Sequence, residues 1–426
     1  MRIAHITAGA GHMYCGSCLR DNTIAAAQLD AGHDVLLIPT YTPTRPEGRN
    51  VSLDRIYLGG INVFLQEHVP IFRKLPRALS RMLDAAPLLR LATKRGVSVD
   101  PSHLGRLTVS MLRGVDGAQQ RTVMELVRFL ADEAKPEIVS IPNSLLIALA
   151  TAVKREMNVP VVCTLQGEDG FLDGLGGPYK EESLRLIREH AANVDAFLAV
   201  SRFGADRMSA FLGIDRARVD IVPIGIDFEG HTQARLDAEP FTVGYLARVA
   251  PEKGLHVLCE VYRRLRARPG CPPGRLVAAG YLAPEHKGYL ADVQKKMAAW
   301  GLAGEFEYRG ALDRAEKLAF LQELSVLSVP SPYPTQKGQF LMEAMASGVP
   351  VVQPRLGAFT EVVEATGGGI LVDDGDLDGL AQGIASLWDD PERRRRLGAA
   401  GFDAVRLRYG TPQMLASVMA VYGRLR

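Results

Sequence analysis

Short apolar runs rich in Val, Ile and Leu recur along the chain, separated by stretches whose apolar residues have helical spacing. Expected strands at 2–7, 34–40, 137–141, 160–165 and 196–201 form one series; those at 241–246, 275–279, 305–309, 325–329, 350–353 and 369–372 form a second. Strands alternating with crossover helices build parallel sheets covered on both faces. Two such series in 426 residues, more than one core usually organises, imply two α/β domains. The stretch 229–240 has few apolar residues and reads as the linker between them.

Composition excludes several classes. Hydrophobic residues at 47% and charged residues at 23% describe an ordinary globular protein. With 50 Lys and Arg against 48 Asp and Glu, the net charge of +2 gives no global reason to expect nucleic acid. No apolar run reaches transmembrane length, and Met1-Arg-Ile begins a strand rather than a signal peptide, so a cytoplasmic location is expected. Five cysteines, an odd number, fit reduced thiols better than a disulfide framework. Cys15-Gly-Ser-Cys18 has redox or zinc spacing, with His5 and His12 close in sequence. No second pair follows at finger spacing, which favours a loop-lining role over a metal or redox site.

Ligands of open parallel sheets bind where strands end and helices begin. Two segments place charge there: Gly244-Tyr-Leu-Ala-Arg248-Val-Ala-Pro-Glu-Lys253-Gly254, and Ser331-Pro-Tyr-Pro-Thr335 through Glu343-Ala-Met-Ala-Ser-Gly348-Val-Pro350. Leu341, Met342, Ala344, Met345 and Ala346 are apolar on every side of a short helix, which predicts its burial. Glu343 is the only charge within it. A buried carboxylate needs either a basic partner or a cavity of hydroxyl donors, such as a sugar or ribose diol. Gly338 leaves the first amides of that helix open to an anion, for which Arg248 and Lys253 offer matching cations.

These segments resemble the donor site of the family 4 retaining glycosyltransferases. The resemblance implies the GT-B fold: α/β, with two Rossmann-like parallel-sheet domains facing across a cleft. It implies a hexosyltransferase that moves a hexose from a nucleoside diphosphate sugar to a hydroxyl acceptor on a glycan, lipid or small molecule. In the family an Arg and a Lys clamp the diphosphate, matching Arg248 and Lys253, and the second of two motif glutamates holds the ribose hydroxyls, matching Glu343. The first glutamate, beside the transferred sugar, would fall at position 335, where this chain has Thr335. That departure supports an alternative: a catalytically silent nucleotide-sugar-binding protein.

The likeness extends to Ala196-Phe-Leu-Ala-Val-Ser201, Val222-Pro-Ile-Gly-Ile-Asp227, Gly367-Gly-Gly-Ile-Leu-Val372 and the loop Gly9-Ala-Gly11. It implies an acceptor-side N-domain over 1–228, a nucleotide-sugar domain over 241–409, and a helix over 410–426 returning to the N-domain. Donor contacts are then expected from Gly9, Gly11, His12, Arg248, Lys253, Gly338, Gln339, Phe340 and Glu343. Arg248, Lys253, Thr335 and Asp169 are the candidate catalytic residues. No cofactor beyond the donor and no metal is expected, since two cations and helix dipoles can stabilise a departing diphosphate. Asp374-Gly-Asp376 looks like a metal-binding pair, but Asp376 reads better as a helix cap. A dehydrogenase shares the architecture, yet Gly9-Ala-Gly11-His12-Met-Tyr14 lacks the third glycine of the dinucleotide fingerprint.

Two regions leave alternatives open. Gln166-Gly-Glu168-Asp169, and more weakly Asn143, could orient an acceptor or be plain loop polar groups. The helical insertion at 69–114 carries nine Lys and Arg against Asp84 and Asp100. Such an amphipathic segment can lie on an anionic membrane at the inner face, surround a lipid-linked acceptor, or be a solvated insertion.

Overall fold

The computed structural model describes residues 1–9, 16–44, 46, 48–59, 63, 66 and 101–426. They divide into two compact units, Met1–Gly225 with Met414–Arg426, and Ile226–Gln413.

In the first unit, six parallel strands form one sheet: β1 (Arg2–Thr7), β2 (Asp34–Pro39), β3 (Ile138–Ile141), β4 (Val161–Leu165), β5 (Ala196–Ala199) and β6 (Val219–Ile221). Their order is β2-β1-β3-β4-β5-β6. Alternation along β1 sends Ala4 and Ile6 into one apolar cluster and Ile3 into another. The second cluster includes Met414, Val418, Val421 and Tyr422 of the helix Thr411–Leu425, so the end of the chain completes this unit's core. β6 is absent from the expected set; a three-residue edge strand with Asp220 at its centre carries almost no periodic signal.

The second unit repeats the plan with β7 (Phe241–Leu246), β8 (Gly274–Ala279), β9 (Phe306–Tyr308), β10 (Val326–Leu327), β11 (Val351–Pro354) and β12 (Gly369–Val372). All pairings are parallel, in the order β12-β11-β10-β7-β8-β9. β7 is buried along its whole length, as its near-continuous apolar run requires. The segment 229–240 packs within this unit: the Ala234 N–H donates to the Ser347 carbonyl at 2.8 Å, and Leu236 is buried.

Strand order locates the ligand side of each sheet. In each, the first strand is flanked on its two sides by strands reached through opposite crossovers, which opens a crevice at the carboxyl ends. In the second unit that switch point lies between β7 and β10, whose following loops carry Arg248, Lys253, Thr335 and Gly338.

Candidate functional site

After β7 the chain turns through Arg248 into a 3-10 turn, Pro251–Lys253. After β10 it runs through Ser331 and Thr335 to Gly338, the N-cap of the helix Gln339–Ala346. The two loops are joined where the Ser331 hydroxyl donates to the Glu252 carbonyl at 2.8 Å. Arg248 pairs with Glu252. Burial, then the Arg248 charge and more weakly Lys337, hold the Lys253 ammonium below its ordinary pKa, with Glu252 pulling the other way. The charges of Arg248 and Lys337 thus act on Lys253 at the switch point, and Glu252 offsets part of that repulsion. Lys337, in the middle of a polar loop, has no distinguishing sequence signal; its place beside Lys253 comes from the fold.

Gly280, at the end of β8, lets the Arg248 loop lie where it does. Its φ is +143°, and an added Cβ would stand 1.8 Å from the Ala247 carbonyl oxygen and 3.2 Å from the Arg248 nitrogen. Val249 donates to the Tyr281 carbonyl at 2.8 Å, closing the two loops against each other.

The helix Gln339–Ala346 is buried from Leu341 to Ala346, and Glu343 with it. Of the two environments open to that carboxylate, the structure supplies the basic partner: Lys317 Nζ lies 2.9 Å from Glu343 Oε1, the side chains being 9% and 10% exposed. Gln339 Nε2 donates to the same oxygen at 3.1 Å. Phe340 meets Phe359 edge to face, ring centroids 5.6 Å apart. Thr335 is half-buried, and its carbonyl accepts from the Ala358 N–H at 2.8 Å, which ties this loop to the start of the helix Ala358–Thr366. Asp376 caps the helix Leu377–Asp389, accepting from the Gly379 N–H at 2.8 Å. Among the described residues no group of three His, Cys, Asp or Glu side chains is placed to hold a metal ion.

Beside the Lys317–Glu343 pair, His231 Nδ1 lies 2.8 Å from the Ser347 hydroxyl. Burial brings the His231 pKa down from 6.5 to about 4; Glu343 raises it, while Lys317, Arg314 and Arg406 lower it. The folded unit therefore keeps this imidazole neutral where the unfolded chain would protonate it. Its contribution to stability is complete above pH 6.5 and is lost as pH falls toward 4. Between pH 7 and pH 5 the loss amounts to about 2 kcal/mol. Denaturant titrations of wild type and His231→Gln at both pH values check this: the variant is expected to show a smaller acid-induced drop, and an identical drop would refute the assignment.

In the first unit, Gly9 follows β1 with φ +76°, and a Cβ there would stand 1.8 Å from the Thr42 carbonyl oxygen. Packing alone therefore requires glycine at this position. Asp169 pairs with Arg207. Glu168 accepts from the Ser144 and Gln166 N–H groups at 3.1 and 3.0 Å, and Gln166 Nε2 donates to the Pro142 carbonyl at 2.7 Å. Asn143 caps a 3-10 turn by accepting from Leu145. These polar groups hold the β3 and β4 loops in shape. Cys18 is buried. Gly11, His12 and Cys15 lie outside the described residues, as does 69–100 of the basic insertion. Its described remainder begins with the helix Pro101–Leu112. No helix among the described residues is long and apolar enough to cross a membrane.

Residues 22–225 match a family model described as "Glycosyl transferase 4-like domain", and residues 228–403 one described as "Glycosyl transferases group 1". The 2-deoxystreptamine N-acetyl-D-glucosaminyltransferase of Streptomyces fradiae is 30% identical over 217 residues, 48% of this chain and 50% of that protein. The phosphatidyl-myo-inositol mannosyltransferase of Mycobacterium leprae is 36% identical over 242 residues, 56% of this chain and 61% of that protein. The chain thus spans about half the length of the curated relatives it matches. Among solved structures, sucrose-phosphate synthase from Thermosynechococcus elongatus superposes with a TM-score of 0.73 at 17% identity, covering 99% of this chain and 98% of that one. Anabaena Alr3699/HepE, solved with UDP and glucose, superposes with a TM-score of 0.70 at 16% identity, covering 99% of both chains. At these identities the likeness shows a shared two-domain GT-B architecture.

Proposed function

With a glycosyl transferase 4-like domain over 22–225 and a glycosyl transferases group 1 domain over 228–403, the chain belongs to the glycosyltransferases, and we propose that it moves a hexose from a nucleoside diphosphate sugar to a hydroxyl acceptor, with retention at the anomeric carbon. The observation that carries the reading is the gathering of Arg248, Lys253 and Lys337 at the switch point of the second sheet. A diphosphate there offsets the mutual repulsion of the cations, and the interaction strengthens as the leaving oxygen gains charge. In the transfer, the bond from the anomeric carbon to the diphosphate breaks and its electron pair goes to the diphosphate. The acceptor oxygen bonds to the same carbon and gives up its proton. Glu343 takes the ribose hydroxyls, while Gly338, Gln339 and Phe340 border the sugar. The likeness to HepE, solved with UDP-glucose, supports a donor of this class. The mannosyltransferase relatives name a lipid acceptor, phosphatidyl-myo-inositol, and a lipid-linked acceptor is one form the hydroxyl substrate takes in this proposal.

Thr335 favours a second reading, a donor-binding protein without turnover, because no carboxylate stands at that position. A panel of UDP-, GDP- and ADP-sugars, scored for nucleoside diphosphate release with and without glycan or lipid extract, separates the two. The transferase reading predicts release that depends on one donor and on an extract, and that Arg248→Ala lowers strongly. Tight donor binding with no release from any extract, and release gained by Thr335→Glu, would replace it with the second reading.

A further inference from the structure

The hydrogen bonds to Glu343 are one-sided. Lys317 Nζ and Gln339 Nε2 both reach Oε1, at 2.9 and 3.1 Å, and no hydrogen bond from the described residues reaches Oε2. An ionised carboxylate offers about two acceptor sites on each oxygen. With those of Oε1 taken, the two on Oε2 remain, the number that a vicinal diol's two hydroxyls would fill. The donors come from different places. Gln339 lies one turn back on the same helix, whereas Lys317 belongs to the helix Arg314–Gln322. That second helix starts from a full capping box between Asp313 and Glu316, so the ammonium is delivered by a well-anchored element. The pair is buried and charge-assisted, which gives it directional force that an exposed pair lacks.

We propose that Lys317 is a positioning residue that turns the Glu343 carboxylate so that Oε2 alone faces the nucleotide, and that it thereby sets selectivity for a ribose diol. This rests on the reading of Glu343 as the ribose-binding residue. Lys317 itself touches neither the diphosphate nor the sugar; its effect passes through the carboxylate.

Binding of UDP, GDP and ADP, each compared with its 2′,3′-dideoxy form, tests the proposal by calorimetry on the full chain, using the base that wild type holds tightest. Wild type is expected to prefer the ribose form by about 30-fold or more, as two hydrogen bonds to a charged acceptor imply. Glu343→Gln is expected to lower that preference sharply. Lys317→Met is expected to bring the two forms within about threefold of each other while leaving dideoxy affinity unchanged, and Lys317→Arg to retain most of the preference. The dideoxy form serves as the internal control for folding and for the diphosphate contacts. Should Lys317→Met not fold, because it leaves a buried carboxylate unpaired, Gln339→Leu removes a neutral donor from the same oxygen and is expected to lower the preference by about three- to tenfold. If Glu343→Gln loses the preference while Lys317→Met keeps it, or if Lys317→Met weakens both forms equally, the positioning role is overturned and the ribose reading stands. An unchanged preference in Glu343→Gln would instead overturn the ribose reading.

Discussion

Alanine in place of Arg248 is expected to lower nucleoside diphosphate release by about 10²–10³-fold, the usual effect of removing one preorganised donor to a charge that develops in the transition state. Lys253→Ala is expected to fall in the same range, and the double variant by less than the product of the two, because in the proposed transfer both side chains act on one anion. The loss is expected mainly in kcat, with a smaller rise in donor KM, since in the proposed transfer the diphosphate carries more charge when leaving than when bound. Lys253→Arg is not a conservative test, because a planar fork replaces a compact ammonium in a partly buried turn. Steady-state kinetics with the donor identified by the panel read all of these effects. Alanine variants that keep wild-type kcat and change only KM would show that the cations bind the donor without assisting departure.

Gly280→Ala is expected to destabilise the second unit by about 3 kcal/mol, through a backbone conformation that only glycine tolerates and a direct clash with the Ala247 carbonyl. The strain bears on the Arg248 loop itself, so donor affinity is expected to fall with stability. Gly288→Ala provides the control: it lies in the helix Lys287–Ala299 with nothing within 4 Å of an added Cβ, and is expected to be neutral or stabilising by up to about 1 kcal/mol. Denaturant midpoints of the two variants, measured side by side, decide the matter. Equal midpoints would mean that the Arg248 loop adapts freely, contrary to the packing described above.

Which parts of this arrangement were legible in the sequence follows from the range of the forces involved. Strand periodicity is local, and eleven of the twelve strands appear where their apolar runs place them, six of them one to three residues shorter. β6 escapes because its three residues pair only at the edge of a sheet that must already exist. Arg248, Lys253 and Glu343 stand out because each follows a recognisable strand or interrupts an apolar helix. Lys317 does not, since its helix reads as an ordinary amphipathic surface element and its partner lies 26 residues away. Gly280 is equally silent, because its necessity arises from the Ala247 backbone against which it lies. The polar groups around Asp169 illustrate the reverse case: placed at strand ends, they suggest chemistry, and the fold occupies them with Arg207, Ser144 and Pro142.

The pairing of Met414–Arg426 with the first unit bears on how a ribosome delivers this molecule. The helix Gly16–Asp30 brings Ile24 to the face that carries Ile3 and Val35 soon after they are made, but Met414, Val418 and Tyr422, which complete that apolar cluster, follow only after the whole second unit. The second unit is contiguous and has all its strands by Val372. The first unit is thus completed only after the second has been made, and part of an apolar sheet face stays uncovered during that interval. That interval, rather than any property of the mature surface, is when the nascent chain is most exposed to wrong partners.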